Sequence, residues 1–97
     1  MSSRDMLLAR LKAALPRLKQ SYPIRSLGLF GSFARGDAGA RSDLDILVEF
    51  EAPVSLSRFL ALEAELAALT GHDVDLISRQ ALKTHIARNV LRDLVVV

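Results

Sequence analysis

Ile24-Arg25-Ser26-Leu27-Gly28-Leu29-Phe30-Gly31-Ser32-Phe33-Ala34-Arg35-Gly36 leads, through a short polar loop, into Ser42-Asp43-Leu44-Asp45-Ile46-Leu47-Val48. Residues 24–30 are apolar and begin with a β-branched side chain, the pattern of a buried strand. The next dozen residues are rich in Gly, Ser, Ala and Asp, which predicts a loop carrying one helical turn over 32–35. Residues 43–50 then alternate. Leu44, Ile46 and Val48 point one way, and Asp43, Asp45, Leu47 and Glu49 the other. Strand, Gly-Ser turn, strand with paired carboxylates is the unit around which the rest of the chain arranges itself.

On the N-terminal side, Leu7, Leu8, Leu11, Ala14, Leu15 and Leu18 recur at three and four, one apolar stripe of a helix over 3–20. Pro16 lies inside it and predicts a kink or a division near Leu15. Tyr22, read as a loop anchor, and Pro23 close the segment. On the C-terminal side, Pro53 ends the second strand. Ser55 reads as the N-cap of a helix through Leu69, with Leu56, Phe59, Leu60, Leu66 and Leu69 inward. Gly71 terminates that helix. Residues 74–77 form a third strand, with Asp73, Asp75 and Ile77 on one face. Ser78 is read as the cap of a last helix whose stripe is Leu82, Ile86 and Val90. The order α-β-(short α)-β-α-β-α predicts an α/β (α+β) fold, a three-stranded sheet covered by helices.

With 97 residues the chain has the length of one domain, so 1–97 is expected to be a single unit. A hydrophobic share of 51% beside 25% charged residues excludes a disordered chain. No cysteine is present, which removes disulfides, thiolate metal sites and a cysteine nucleophile together, and suits the cytoplasm. No apolar run approaches the roughly 20 residues of a membrane span, and Arg4, Asp5, Arg10 and Lys12 break any signal-like stretch. Net charge is +2, but it is unevenly placed. Six bases face one acid up to Arg25, nine acids face two bases from Asp37 to Asp75, and four bases face one acid from Ser78 onward. Basic flanks around an acidic centre suit a metal–polyphosphate site, and solvated helix faces produce the same pattern. One Tyr and no Trp leave few stacking platforms, so direct nucleic-acid binding is not expected.

Asp43 and Asp45, two apart on a strand, share a face about 6–7 Å apart at the backbone. Like charges so placed disfavour full ionisation without a cation, and Mg²⁺ is usually held by one or two carboxylates plus substrate phosphates. A bare pair of this kind also occurs on a solvent-facing strand edge. The preceding segment favours the metal: Gly31 permits a tight turn and close backbone approach, and exposed N–H groups at a helix start attract phosphate. Ser32 adds a hydroxyl. Arg35, Arg41 and Ser42 fall in the same loop, so a guanidinium is available for phosphate oxygens.

Gly31-Ser32, ten residues, then Asp43-Leu44-Asp45 resembles the G-S-x10-D-x-D signature of the DNA-polymerase-β-like nucleotidyltransferase superfamily. Gly31-Ser32-Phe33-Ala34-Arg35-Gly36 and Ser42 to Val48 are similar to its minimal nucleotidyltransferase (MNT) branch, over nearly the whole chain. The resemblance implies that branch's fold, with a mixed sheet, and a third carboxylate on the next strand. That role is carried to Asp75 in Val74-Asp75-Leu76, with Asp73 as the rival at the strand entrance. It further implies two Mg²⁺ ions on Asp43, Asp45 and Asp75, and ATP phosphates on Gly31 and Ser32. Attack at the α-phosphorus would then release pyrophosphate. Arg35, Arg41 and Ser42 are carried as further nucleotide-binding candidates.

Relatives of this size pair with a small all-helical HEPN-domain protein, an RNase toxin for which the MNT protein is the antitoxin. The resemblance implies inhibition by adenylylation of that toxin on tyrosine. Two other readings stand beside it: a binding module that neutralises its partner by occlusion, and a nucleotidyltransferase acting on a small molecule. Leu94-Val95-Val96-Val97 suits either a partner surface or the chain's own sheet edge. His72 and His85 are isolated and read as surface or helix-cap residues, Glu63 and Glu65 as divergent helix carboxylates, and Glu49 as solvated.

Overall fold

The computed structural model describes residues 3–39, 42–82 and 84–97, with the backbone alone at 84–86. In chain order the elements are α1 (Ser3–Ser21), β1 (Ile24–Phe30), α2 (Gly31–Arg35), β2 (Leu44–Phe50), α3 (Leu56–Thr70) and β3 (Val74–Ser78). A 3₁₀ turn at Arg79–Ala81, then α4 (Thr84–Asp93) and β4 (Val95–Val96), complete it. The sheet runs β3-β2-β1-β4, with β2 and β3 parallel and the other neighbours antiparallel. The parallel pair needs a crossover, and α3 supplies it.

The expected mixed sheet and α+β class are therefore present, with four strands rather than three. The fourth is the C-terminal apolar run, which lies on the chain's own sheet edge: Gly28 faces Val96, Leu29 faces Val95, and the Val97 amide donates to the Leu27 carbonyl at 2.9 Å. Two residues are too few for alternation to reveal a strand. Gly28 helps admit it, because a Cβ there would run into Leu94.

One face of the sheet carries the main core. Leu27 and Leu29 of β1, Leu44, Ile46 and Val48 of β2, and Leu76 of β3 pack beneath Leu7, Leu11, Leu18, Leu62 and Leu66. A register shift between Ile24 and Ser26 lets Ile24 join Leu27 and Leu29 on that face despite the odd spacing. The opposite face holds a smaller cluster of Phe30, Leu47 and Val90, with Ile77, Leu82 and Leu94 against it. Leu47 shares the carboxylate face, as the alternation required, and α4 covers it there.

Several local expectations are corrected. Pro16 neither ends nor divides α1, which runs unbroken from Ser3 to Ser21 because Leu11, Ala14 and Leu18 stay buried on both sides of it. In α3 the inward stripe is Phe59, Leu62, Leu66 and Leu69. Leu56 and Leu60 are 72% and 50% exposed, since their positions rotate off that stripe. Ser78 caps no helix; its hydroxyl bonds Gln80 Oε1 at 2.8 Å, and an extended Leu82 separates the 3₁₀ turn from α4. Ser55 does cap α3, accepting from the Arg58 amide, and Gly71 ends it in the left-handed region at φ 73°. Tyr22 is buried and donates to Glu65 Oε2 at 3.0 Å, while Glu63 turns away to accept from the Leu76 amide at 3.0 Å.

Candidate functional site

The carboxylates meet where three strand ends come together. Phe30, the last residue of β1, lies opposite Asp45, and Asp45 lies opposite Asp75 across the parallel pair. Adjacent strands lie about 4.8 Å apart, so Asp45 and Asp75 are lateral neighbours. Asp43 stands two residues before Asp45, just ahead of β2. Asp45 is half-buried, and Asp43 and Asp75 are exposed. Burial raises the Asp45 pKa above its ordinary value of 3.8, the Asp75 and Asp43 charges raise it further, and Arg35 partly opposes them.

The turn that follows β1 is shaped around Asp45. Gly31 has φ +73°, and a Cβ on it would collide with Asp45 Oδ2. Glycine is thus required twice, by the backbone and by the carboxylate that occupies the side-chain position. Ser32 follows, half-buried, and its carbonyl accepts from the Asp37 amide at 3.0 Å while the Phe33 carbonyl accepts from Gly36 at 3.3 Å. Gly36, at φ +82°, closes the turn in the left-handed conformation that this paired-bond ending uses.

The remaining candidates separate. Ser42 folds its own loop: its hydroxyl accepts from the Gly39 amide at 2.9 Å, and its amide donates to the Gly39 carbonyl at 3.1 Å. Arg35 is forked onto Asp37 and Asp93 at 3.2 and 3.0 Å. Arg41 lies outside the described residues. Asp73 uses its backbone carbonyl to accept from Leu44 at 2.8 Å. With Ser42, Asp43 and His72 it borders an open groove of about 500 Å³, so it neighbours Asp43 while Asp75 neighbours Asp45. His72 packs edge-on to Phe33, ring centres 5.0 Å apart. The His85 side chain lies outside the described residues.

Sequence reasoning missed Asp93. Arg35 and Asp37 are visible as a local pair, but Asp93 is 58 residues further on and no spacing rule connects it. It read Gly31 as the residue of a tight turn but missed that the Asp45 carboxylate occupies its side-chain position, which needs the register of β1 against β2.

Among the described residues no three carboxylates or imidazoles are grouped so as to hold a cation by themselves. The hard oxygen donors lie side by side along strand ends instead. That arrangement fits a cation that keeps substrate oxygens among its ligands, as Mg²⁺ does. The crowding on Asp45 points the same way, since a cation there would relieve the like-charge repulsion. Among the described residues, no helix is long and apolar enough to cross a membrane.

Comparison with known proteins agrees with this geometry. The nucleotidyltransferase domain family matches residues 11–97. The protein adenylyltransferase MntA of Thermococcus cleftensis is 46% identical over 87 residues, covering 90% of this chain and 88% of that protein. A solved structure assigned as a minimal nucleotidyltransferase superposes with TM-score 0.79 at 36% identity, covering 98% of this chain and 95% of that one. A Shewanella oneidensis structure, a tri-AMPylated HEPN toxin in complex with MNT antitoxin, shares the fold with TM-score 0.62 at 20% identity. It covers 97% of this chain and 67% of that one. The signature Gly31-Ser32 and Asp43-Leu44-Asp45, the sheet that brings its two halves together, and these likenesses make the chain a member of the nucleotidyltransferase domain family, in its minimal branch.

Proposed function

We propose that residues 1–97 act as one minimal nucleotidyltransferase domain that moves AMP from ATP onto a hydroxyl of a HEPN-domain partner in the cytoplasm, neutralising that partner as its antitoxin. The observation that carries the reading is the register setting Asp45 between Asp75 and the Gly31 turn. It puts carboxylates beside a Gly-Ser backbone, which is what a metal-bound polyphosphate needs. The likeness to a protein adenylyltransferase at 46% identity supports the choice of AMP and of a protein acceptor. Likeness to an MNT antitoxin bound to its HEPN toxin supports the choice of partner.

Asp43, Asp45 and Asp75 would hold the metal, as two Mg²⁺ ions. When bound, they supply charge neutralisation at the α-phosphorus and activation of the attacking oxygen. Gly31 and Ser32 hold the β- and γ-phosphates through backbone N–H groups and the Ser32 hydroxyl. Ser42 keeps the returning loop folded ahead of Asp43, and Arg41, outside the described residues, stays a phosphate candidate from its place in the sequence. Asp75 serves the acceptor side, chosen over Asp73 because it is the one paired with Asp45. The acceptor hydroxyl gives up its proton to solvent on the side that Asp75 serves. Its oxygen forms a bond to the α-phosphorus while the bond from that phosphorus to the bridging β-phosphate oxygen breaks. Pyrophosphate leaves, and the nucleotide stays on the partner.

Calorimetric titration of ATP with magnesium into the wild type and into Asp43→Asn tests the site. The expected result is saturable binding by the wild type that is lost in the variant. Equal binding by both would remove the carboxylates from the site.

A further inference from the structure

α2 has five residues, too few for a helix to hold itself by its own hydrogen bonds. It is tied in place from outside. Arg4 Nη1 of α1 donates to the Ala34 carbonyl at 3.0 Å, and Gly36 and Asp37 close its end on the Phe33 and Ser32 carbonyls. Arg35 supplies a further tie, beside the burial of Phe33 and Ala34 in the core. Its Nε donates to Asp37 Oδ2 at 3.2 Å and its Nη1 to Asp93 Oδ2 at 3.0 Å. Asp93 is the last residue of α4, the helix that lies on the carboxylate face through Val90 against Phe30 and Leu47. Through the fork, the turn bearing Gly31 and Ser32 is therefore fixed to the element that covers the other end of the same face.

Such a fork is a use that suits arginine, whose planar guanidinium presents donors in a fixed arrangement. Two carboxylates also spend its charge. A phosphate approaching Arg35 would meet a guanidinium already held through Nε and Nη1 by two carboxylates. We infer that Arg35 is a positioning residue that locks α2 to α4, so that Gly31 stays against Asp45, and not a direct phosphate ligand. The inference rests on the reading of Gly31 and Ser32 as the phosphate-holding turn. Exposed ion pairs add little to global stability, so the effect is local to α2.

The test compares wild type, Arg35→Gln, Arg35→Lys, Asp93→Ala and the Arg35→Gln/Asp93→Ala double variant. Two readouts are used: calorimetric titration of ATP with magnesium, and amide hydrogen exchange over 31–36. Expected are several-fold weaker ATP binding in every single variant and no further loss in the double. Lys is expected to fail to rescue, and exchange at 31–36 to quicken alike in all. A direct ligand behaves otherwise: Asp93→Ala would free the guanidinium and tighten ATP binding while Arg35→Gln weakened it, and Lys would rescue. That pattern overturns the inference. Wild type that binds no ATP would count against the phosphate-holding reading, and exchange would then decide alone. Quickened exchange at 31–36 in both Arg35→Gln and Asp93→Ala would uphold the lock, and unchanged exchange would overturn it.

Discussion

At the scale of single residues, the site is held at a cost in stability. Asp45 is half-buried beside two further carboxylates, and its pKa is raised by burial first and then by Asp75 and Asp43. A carboxylate whose folded pKa exceeds its unfolded value binds its proton more tightly in the native state, so native stability is lost as pH rises through the raised value. Asp45→Asn removes that charge. It is expected to melt above the wild type at pH 7 in the absence of divalent cations, with the gain vanishing as pH falls below 3.8. Thermal melts across that range check it, and an equal or lower melting temperature at pH 7 contradicts it. Gly31→Ala is expected to have the opposite effect on stability. Its φ of +73° disfavours any side chain by about 1–2 kcal/mol. The added methyl also meets Asp45 Oδ2, so the variant should lose both stability and transfer. Denaturant melts alongside an ATP-dependent transfer assay read the two losses.

At the scale of elements, helices α1 and α3 show where packing overrides pattern. Pro16 is exposed in the middle of an unbroken α1, where it forgoes one backbone hydrogen bond. Pro16→Ala is expected to stabilise the protein by roughly 1–3 kcal/mol, because it restores that bond without touching the buried stripe. A melting temperature unchanged or lowered would show that the proline sets a bend the core needs. In α3, Leu66 is fully buried and Leu60 is 50% exposed. Leu66→Ala should cost about 2–5 kcal/mol and Leu60→Ala well under 1 kcal/mol. The sequence-based stripe put both inward, so this pair of denaturant titrations separates the two assignments. Between these helices, Tyr22 and Arg17 converge on Glu65, with the Arg58 guanidinium over the Tyr22 ring at 4.8 Å from its centre. That strap fixes the end of α1 where β1 begins.

At the scale of the whole molecule, legibility divides by range. Strands β1, β2 and β3 and the turn at α2 could be read locally, since apolar runs, alternation and glycines are short-range signals. The placing of Leu44, Ile46 and Val48 opposite Asp43, Asp45 and Leu47 followed from period two alone. What needed the folded chain was long-range: β4 against Gly28, Asp93 reaching Arg35, and Asp75 lying level with Asp45. Carrying the third carboxylate to Asp75 depended on family resemblance, because nothing in the spacing of 45 and 75 predicts a parallel register. Leu56 and Leu60 were misplaced because leucines on adjoining faces of a helix satisfy more than one stripe.

The proposed transfer of AMP from the Asp45–Asp75–Gly31 junction to a HEPN-domain partner is tested most directly by the intact mass of that partner, co-expressed with the chain. Incubated with ATP and magnesium, the partner should gain the mass of one or more AMP units with the wild-type chain and none with Asp45→Asn, both chains remaining folded. Equal gain with both, or no gain with a wild-type chain that still binds the partner, would contradict the account and leave the chain acting by contact alone.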